Sequence, residues 1–261
     1  MDTPDRRHSR YTAQAVWTQQ IREYLLAECQ PVPERTLDVG CGTGVVTMEL
    51  PGNVFGIDIL LDDIRLATKV SPGPSYISAD AFRIPFPSDS FDLVCCHFLL
   101  LWLHNPQTAL QEMIRVLKPG KSLILFAEPD YGGRIDYPSP LEALGGLQQD
   151  ALRKQGCDPE LGRKLRSLLS VSGLNSVKTG VIGGEWTTDF SLPAEFTSEW
   201  ETLISDLSGI LSPDETTFYA ELERKAWLDG TRILYVPTFF ARGKKPEHIP
   251  SAANNGQLIV P

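Results

Sequence analysis

Three glycines alternate with other residues directly after a short apolar run, in the stretch "LDVGCGTG". They are Gly40, Gly42 and Gly44, and Asp38 stands two positions before the first of them. Glycine has no Cβ, so a turn built from it can bend sharply and let a ligand approach the backbone N–H groups. A carboxylate beside such a turn is an acceptor for ammonium or hydroxyl donors. The pattern therefore predicts a ligand site at residues 38–44.

The elements around this turn alternate between strand and helix patterns. Helices are expected in "GVVTMEL", "LLDDIRLATKV" and "NPQTALQEMIRVLKPG", and strands in "RTLDVG", "NVFGIDI", "SYISAD", "FDLVCCHF" and "KSLILFAE". This alternation predicts an α/β fold with a parallel sheet covered by helices on both faces. Cys95 and Cys96, neighbours on one strand, should point to opposite faces. The carboxyl ends of such strands share one edge, where ligands bind.

The remainder of the chain is less regular. Residues 1–10 are expected to be mobile, and a helix should follow, with Trp17, Ile21, Tyr24 and Leu25 on one face. Beyond residue 128, helices are predicted at about 141–155, 161–170, 193–210 and 213–229, with strands at about 174–186 and 231–245. Pro237 predicts an edge, a bulge or a bend in the last strand.

Composition excludes several classes of function. A net charge of −9 disfavours nucleic acid as a partner. The longest aliphatic run, "FLLLWL", is too short to span a bilayer, and "MDTPDRRHSRYT" has no secretory pattern, so a cytoplasmic location is expected. Five cysteines without a CxxC pair indicate reduced thiols, and no His/Cys cluster has metal-ligand spacing, so no metal is expected. An oligomer is possible.

Four motifs together resemble class I S-adenosylmethionine-dependent methyltransferases. "LDVGCGTG" resembles the first motif of that family, and "VFGID" its acidic end of the second strand. "SADAFRIPFPSDSFDLVCCHFLLLWL" and "VLKPGKSLIL" resemble the motifs that follow. The resemblance covers about residues 33–128 and is closest to the small-molecule type of ubiquinone and menaquinone biosynthesis.

The resemblance implies a Rossmann-like, doubly wound, seven-stranded and mostly parallel sheet with an added helical cover. It divides the chain into an N-terminal arm and helix at 1–32, a methyltransferase domain at 33–245 and a C-terminal tail at 246–261. Helical insertions are expected in that domain at about 140–172 and 193–229.

The resemblance also implies S-adenosylmethionine as cofactor. Asp38 would meet its methionine ammonium, beside the turn of Gly40, Gly42 and Gly44. Asp58 would accept from the ribose hydroxyls. The adenine would be bound by Asp80, Ala81, Ile59 and Phe82, the first two through hydrogen bonds and the last two by enclosing the ring.

The acceptor side is predicted from the segments that follow strands four and five. His97, at the crevice edge, is expected to lie against the cofactor and is a candidate catalytic residue, as is Tyr131. Contacts to the acceptor are expected from Trp102, Tyr131, Arg134 and Tyr137. An added helical cover could enclose a small apolar or aromatic acceptor. Most of its aromatic residues are nevertheless expected to form the core of the cover itself; they are Trp186, Trp200, Phe218, Tyr219 and Trp227.

Two other functions remain open on the sequence. A nicotinamide-dependent oxidoreductase would use the pattern G-x-G-x-x-G, whose third glycine falls at Val45. A protein that binds S-adenosylmethionine without catalysis would keep the same three aspartates.

Overall fold

A computed structural model describes residues 3–184 and 194–247. The predicted Trp186 and most of the predicted tail lie outside these residues. The helices are α1 Pro4–Trp17, α2 Gln19–Ala27, α3 Leu61–Val70, α4 Pro106–Val116, α5 Glu142–Lys154, α6 Leu161–Ser170, α7 Ala194–Asp206 and α8 Pro213–Leu228. The strands are β1 Arg35–Val39, β2 Asn53–Asp58, β3 Ser75–Ser78, β4 Phe91–Cys96, β5 Leu117–Pro129, β6 Ile135–Tyr137, β7 Asn175–Ile182, β8 Ile233–Tyr235 and β9 Thr238–Lys244.

Seven strands form one sheet in the order β3-β2-β1-β4-β5-β9-β7. The pairs from β3 to β5 are parallel, and β9 runs antiparallel to both of its neighbours. The order reverses beside β1, which places a crevice at the carboxyl ends of β1 and β4. The predicted doubly wound, mostly parallel seven-stranded sheet is confirmed.

Helices cover both faces of this sheet. On one face, Leu110 of α4 and Leu165 of α6 belong to the same buried cluster as Cys96. On the opposite face, Leu25 of α2 packs in a cluster with Cys95. The two adjacent cysteines therefore point to opposite sides, as alternation along a strand requires.

The cover is a separate layer with its own apolar cluster. Leu144 of α5, Leu203 of α7 and Ala226 of α8 are buried together. Beneath them, β6 and β8 form a two-stranded antiparallel ribbon. The carboxylate of Asp136 on β6 pairs with Arg232 at 2.7 Å, and both side chains are almost fully buried.

Two predicted elements differ from the structure. No α-helix follows the glycine turn, where Thr47–Glu49 form a single 3-10 turn. Three consecutive β-branched residues, at positions 45–47, disfavour a helix because their side chains crowd the preceding turn. At the N-terminus, residues expected to be mobile begin α1 at Pro4, where the Thr3 hydroxyl accepts from Arg6 N and Pro4 occupies the first helical position.

The predicted single strand at 231–245 is divided into β8 and β9. The break lies at Val236 and Pro237, and the two halves belong to different sheets. The prediction of a bend at Pro237 is therefore confirmed. Among the described residues, no helix has the length and apolar character needed to cross a bilayer.

Candidate active site

The glycine turn between β1 and the 3-10 turn is packed more tightly than its sequence suggests. Gly40, Gly42 and Gly44 all have positive φ, at 74°, 52° and 82°. A Cβ on Gly40 would lie 2.7 Å from Leu99 Cδ1, and one on Gly42 would lie 2.7 Å from Tyr11 Cε2. The glycines therefore make room for side chains of neighbouring elements, whereas the sequence predicted that they make room for a ligand.

The N–H groups of this turn are also occupied within the protein. Gly40 N and Cys41 N both donate to Ile57 O, at 2.8 and 3.0 Å. Gly42 N donates to Asp58 Oδ2 at 2.9 Å. With these donors engaged and no α-helix behind the turn, the site lacks the anion-binding geometry that a dinucleotide pyrophosphate requires. A ligand would have to share or displace these hydrogen bonds, so the contact of a cofactor with the glycine turn stays a prediction, and the dinucleotide alternative loses its structural basis.

Asp38, at the end of β1, is buried with an unsatisfied oxygen. Oδ2 accepts from the Thr47 hydroxyl at 2.7 Å, whereas Oδ1 has no partner among the described residues. Burial raises the pKa of Asp38 to about 7, against the lowering effects of the Thr47 hydrogen bond and the Arg22 charge. A buried carboxylate oxygen without a donor is costly, so this position is suited to a cationic donor of a ligand.

Asp58 lies at the end of β2, beside the same turn. Its carboxylate is oriented by two backbone donors, Gly42 N to Oδ2 and Leu60 N to Oδ1 at 2.8 Å. Burial raises its pKa, although both hydrogen bonds act in the opposite direction. Each oxygen keeps a second lone pair, so the carboxylate can still accept from a vicinal diol.

The predicted adenine contacts lie along β3 and the segment after it. Register pairs Asp58 with Ser78, so Asp80 follows the neighbouring strand end. The Asp80 carboxylate is exposed and accepts from Phe82 N at 2.8 Å. Phe82 packs against His104 with ring centroids 4.5 Å apart, and Ile59 is 69% exposed. Ala81 lies between Asp80 and Phe82 and is partly buried.

His97 follows β4 and is half-buried at the crevice. Its Nε2 lies 2.9 Å from the Thr18 hydroxyl, at the junction of α1 and α2. Burial and the nearby Arg22 charge lower the pKa of His97 to about 3. The imidazole is therefore neutral at physiological pH and holds an added proton weakly.

The segment after His97 is fixed by a buried carboxylate that the sequence did not single out for this role. Glu128, at the end of β5, accepts from Leu99 N at 3.0 Å, Leu100 N at 2.7 Å and Leu101 N at 3.3 Å. Burial raises the pKa of Glu128 to about 7, opposed by these three hydrogen bonds. Glu128 thereby sets the position of the Leu99 side chain, which packs on Gly40.

Two of the four predicted acceptor contacts line a polar pocket beneath α5. Tyr131 and Arg134 line it together with Asp136, Glu142, Gly146 and Gln149. Burial raises the pKa of Tyr131, so its phenol stays protonated and can donate a hydrogen bond but not accept a proton.

The other predicted acceptor contacts are more peripheral. Trp102 and Tyr137 are 47% and 54% exposed, and neither lines that pocket. Arg134 donates from Nε to Asp136 at 2.6 Å and from Nη1 to Gln148 at 2.5 Å. These bonds make Arg134 part of the internal network of the cover as well as of the pocket wall.

Helix α1 contacts both α3 and the glycine turn. Arg7 is ion-paired with the fully buried Asp63 of α3, with Nε at 2.9 Å from Oδ1. His8 Nδ1 lies 2.8 Å from the hydroxyl of Thr43 in the glycine turn, and Tyr11 packs on Gly42. Helix α1 is therefore held across the turn by charge, hydrogen bond and van der Waals contact.

Comparison with known proteins identifies the domain that carries this site. Residues 37–125 match the family model described as "Methyltransferase domain". Residues 37–125 form a methyltransferase domain. This methyltransferase domain includes the glycine turn, Asp58, Asp80 and His97, and the match implies S-adenosylmethionine as cofactor.

Curated relatives agree with that family. The demethylmenaquinone methyltransferase of Renibacterium salmoninarum is 33% identical over 121 residues, covering 44% of this chain and 51% of the relative. The 2-methyl-6-phytyl-1,4-hydroquinone methyltransferase of Synechocystis is 30% identical over 189 residues, covering 67% of this chain and 56% of the relative. The chain spans about half the length of the curated relatives it matches.

A solved structure shows the same fold for the methyltransferase domain and its additions. The crystal structure of a SAM-dependent methyltransferase from Archaeoglobus fulgidus superposes with a TM-score of 0.53 at 20% identity. The superposition covers 89% of this chain and 94% of the solved chain. None of the relatives named above is an oxidoreductase, so the comparisons do not support that alternative.

The residues at the crevice have the chemistry that S-adenosylmethionine needs. The unpaired Asp38 Oδ1 can accept from the methionine ammonium, which would relieve the cost of leaving that oxygen buried without a donor. Asp58 offers two oriented oxygens for a diol. The chain therefore fits the cofactor that its family implies.

Proposed function

We propose that this chain transfers a methyl group from S-adenosylmethionine to a small-molecule acceptor, releasing S-adenosylhomocysteine. The cofactor supplies an electrophilic sulfonium methyl. The observation that carries the proposal is the pair of strand-end carboxylates beside the glycine turn, Asp38 with an unpaired buried oxygen and Asp58 with two oriented ones. An electron pair of the acceptor, on a heteroatom or a ring carbon, forms the new bond to the methyl carbon, and sulfur keeps the electron pair of the bond that breaks.

The protein's contribution to such a displacement is position rather than proton transfer. Holding two reactants in line can supply much of the barrier reduction. His97 is neutral and weakly basic, and Tyr131 stays protonated, so both act as hydrogen-bonding groups in this proposal. Where the acceptor atom carries a proton, that proton is released to water.

For the acceptor we propose an aromatic small molecule of the hydroquinone type. The names of two relatives support this class, one acting in menaquinone and the other in phytyl-hydroquinone methylation. The polar wall formed by Tyr131, Arg134 and Gln149 is suited to ring hydroxyls. Trp102 and Tyr137, which are more exposed, would contact an acceptor that extends beyond this pocket.

The test has two stages with separate readouts. Titration calorimetry with S-adenosylmethionine measures cofactor binding by the whole chain, and Asp38→Asn should weaken it. Radiolabelled cofactor with a panel of hydroquinones, phenols and carboxylic acids then measures transfer, with product detected by mass. Absence of cofactor binding by the folded protein would overturn the proposal. Binding without labelled product across the panel would favour the non-catalytic alternative.

A further inference from the structure

The junction of α1 and α2 contains a hydrogen-bonded chain that ends on His97. Thr18 closes α1, and its hydroxyl Oγ1 lies 2.8 Å from Gln14 O, 2.7 Å from Arg22 Nη1 and 2.9 Å from His97 Nε2. Thr18 is fully buried, and Arg22 is 2% exposed. Ala15 O is a second, longer acceptor for the same hydroxyl proton, at 3.4 Å. A hydroxyl has one donor and two acceptor positions, and these partners use all of them.

The direction of each bond follows from the groups involved. Arg22 can only donate, so it takes one lone pair of the Thr18 hydroxyl. Gln14 O can only accept, and the backbone N–H of Thr18, its ordinary helical donor, bonds to Val16 O instead. The Thr18 hydroxyl therefore donates its proton to Gln14 O in place of the missing backbone bond. Such a bond from a threonine hydroxyl to the carbonyl four residues earlier is common in helices. The remaining lone pair must then receive a proton from His97 Nε2.

Arg22 is held in place independently of His97. Its Nη1 also donates to Ala15 O at 2.7 Å, and its Nη2 donates to Glu49 in the 3-10 turn at 2.7 Å. The guanidinium therefore links the end of α1 to the segment that follows the glycine turn. Arg22 holds the Thr18 hydroxyl in place and takes one of its lone pairs, while the acceptor-only Gln14 O draws the hydroxyl proton away from His97.

The opposite nitrogen of the ring is left available. Among the described residues, His97 Nδ1 has no hydrogen-bond partner. It is also absent from the fully buried polar atoms without a partner, so Nδ1 is accessible from outside the protein. Phe98 contacts the imidazole edge to face, with ring centroids 4.5 Å apart, and has a positive φ of 51°. The contact with the Phe98 ring therefore restrains one edge of the imidazole.

We propose that Arg22 and Thr18 are positioning residues that fix His97 as its Nε2-protonated neutral tautomer, so that Nδ1 accepts a hydrogen bond from the acceptor's hydroxyl or amine. The predicted contact between Nδ1 and the acceptor rests on the proposed function. The predicted tautomer of His97 concerns the protein alone. The hydrogen bond to Nδ1 orients the acceptor and aims its lone pair at the methyl carbon.

The tautomer is tested by nitrogen NMR of the full chain labelled with 15N-histidine, with the His97 signals assigned by their loss in His97→Asn. The expected result is a protonated Nε2 and an unprotonated Nδ1 in the wild-type protein. Thr18→Val removes the hydroxyl and should give a mixture of tautomers, whereas Thr18→Ser should retain the wild-type signals. A wild-type His97 with its proton on Nδ1 would overturn the proposal, whether or not methyl transfer is detected.

The functional half is tested with any acceptor that the panel identifies. Thr18→Val should lower kcat by about 10- to 100-fold with an unchanged KM for the cofactor, and Thr18→Ser should restore it. Thr12→Val is the matched control, because the Thr12 hydroxyl makes the same i to i−4 bond, to His8 O at 2.9 Å, on an exposed position of the same helix. Equal kcat values for Thr18→Val and Thr12→Val would refute the positioning role.

Discussion

The Thr47 hydroxyl donates to Asp38 Oδ2 at 2.7 Å and leaves Asp38 Oδ1 buried without a donor. Thr47 thus orients the carboxylate but provides a hydrogen bond to only one of its two oxygens. In the ligand-free protein the ionised form of Asp38 is therefore disfavoured, which is why its pKa is raised to about 7. The same arrangement makes Asp38 a strong partner for an incoming cation.

Asp38 should contribute to the ligand-free protein a stability that falls as pH rises from about 4 to about 7. In this range the unfolded chain has released the Asp38 proton while the folded chain retains it, so the free energy of unfolding decreases with pH. The Asp38 effect is on the order of a few kcal/mol. Glu128 adds to it with the same sign, whereas His97, whose pKa is lowered to about 3, opposes it. Urea denaturation across this range measures it as a difference: as pH rises, the free energy of unfolding of the wild-type protein should fall relative to that of Asp38→Asn. Identical pH dependences in the two proteins would contradict the burial of an ionisable Asp38.

Cofactor affinity should depend on pH through the same residue. A bound ammonium favours ionised Asp38, so binding expels the proton and weakens as pH falls below about 7. Calorimetry at about pH 6 and about pH 7.5 should show tighter binding at the higher pH for the wild type. In Asp38→Asn, binding should be weaker and this dependence should be lost. If Asp38→Asn kept the wild-type pH dependence of cofactor affinity, the titrating group would be a residue other than Asp38.

Removal of the Asp58 carboxylate should weaken cofactor binding by about 1–3 kcal/mol. The ribose hydroxyls would lose their acceptor, and Gly42 N and Leu60 N would lose theirs. Calorimetry of Asp58→Ala measures the change. Asp62→Ala is a suitable control, since Asp62 is exposed on α3 and pairs only with neighbouring Arg65 in the described contacts. Equal affinities for the two variants would refute the assigned role.

A side chain at Gly42 should displace α1. The alanine Cβ would meet the Tyr11 ring at 2.7 Å, in a backbone conformation with φ of 52° that already disfavours alanine. We expect Gly42→Ala to cost more unfolding free energy with Tyr11 present than in a Tyr11→Ala background, with a coupling of about 0.5–3 kcal/mol. Gly173→Ala is the control for the backbone cost, because Gly173 has a φ of 78° and open space around it. If the effects of Gly42→Ala and Tyr11→Ala on unfolding free energy simply added, the new Cβ would not be in conflict with the Tyr11 ring.

Loss of the Glu128 carboxylate should loosen the segment after β4. Glu128→Ala would leave Leu99 N, Leu100 N and Leu101 N without their acceptor, at a cost of more than about 3 kcal/mol in unfolding free energy. Glu128→Gln should cost much less, because Leu99 N and Leu100 N both donate to the one oxygen that an amide preserves. Hydrogen exchange at these three amides should rise in the alanine variant. Unchanged exchange there would argue against this anchor.

The sequence predicts the sheet well because its strands are long apolar runs bounded by turn residues. It fails after the glycine turn, where the apolar spacing of "GVVTMEL" suggests a helix but Val45, Val46 and Thr47 disfavour one. It also misjudges the N-terminus, although Thr3 and Pro4 together form a helix-start signal that can be read directly. Local rules thus account for both errors once side-chain branching and capping are weighed against hydrophobic pattern.

The site is harder to predict than the sheet, because several of its contacts join residues far apart in the chain. Asp38 and Asp58 stand at strand ends, where a motif points to them. Thr18 and Arg22 lie in what reads as an ordinary amphipathic helix, and only the folded chain brings them to His97. Residue types and spacing carry no information about such a contact across 79 positions.

The cover has its own apolar cluster, separate from the two clusters that pack on the sheet. Substitutions at distant, unshared positions tend to have independent effects on stability. Mutations in α5, α7 or α8 can therefore change which acceptor binds without destabilising the sheet that carries the glycine turn. Such modularity gives duplicated genes a short route to divergent specificities.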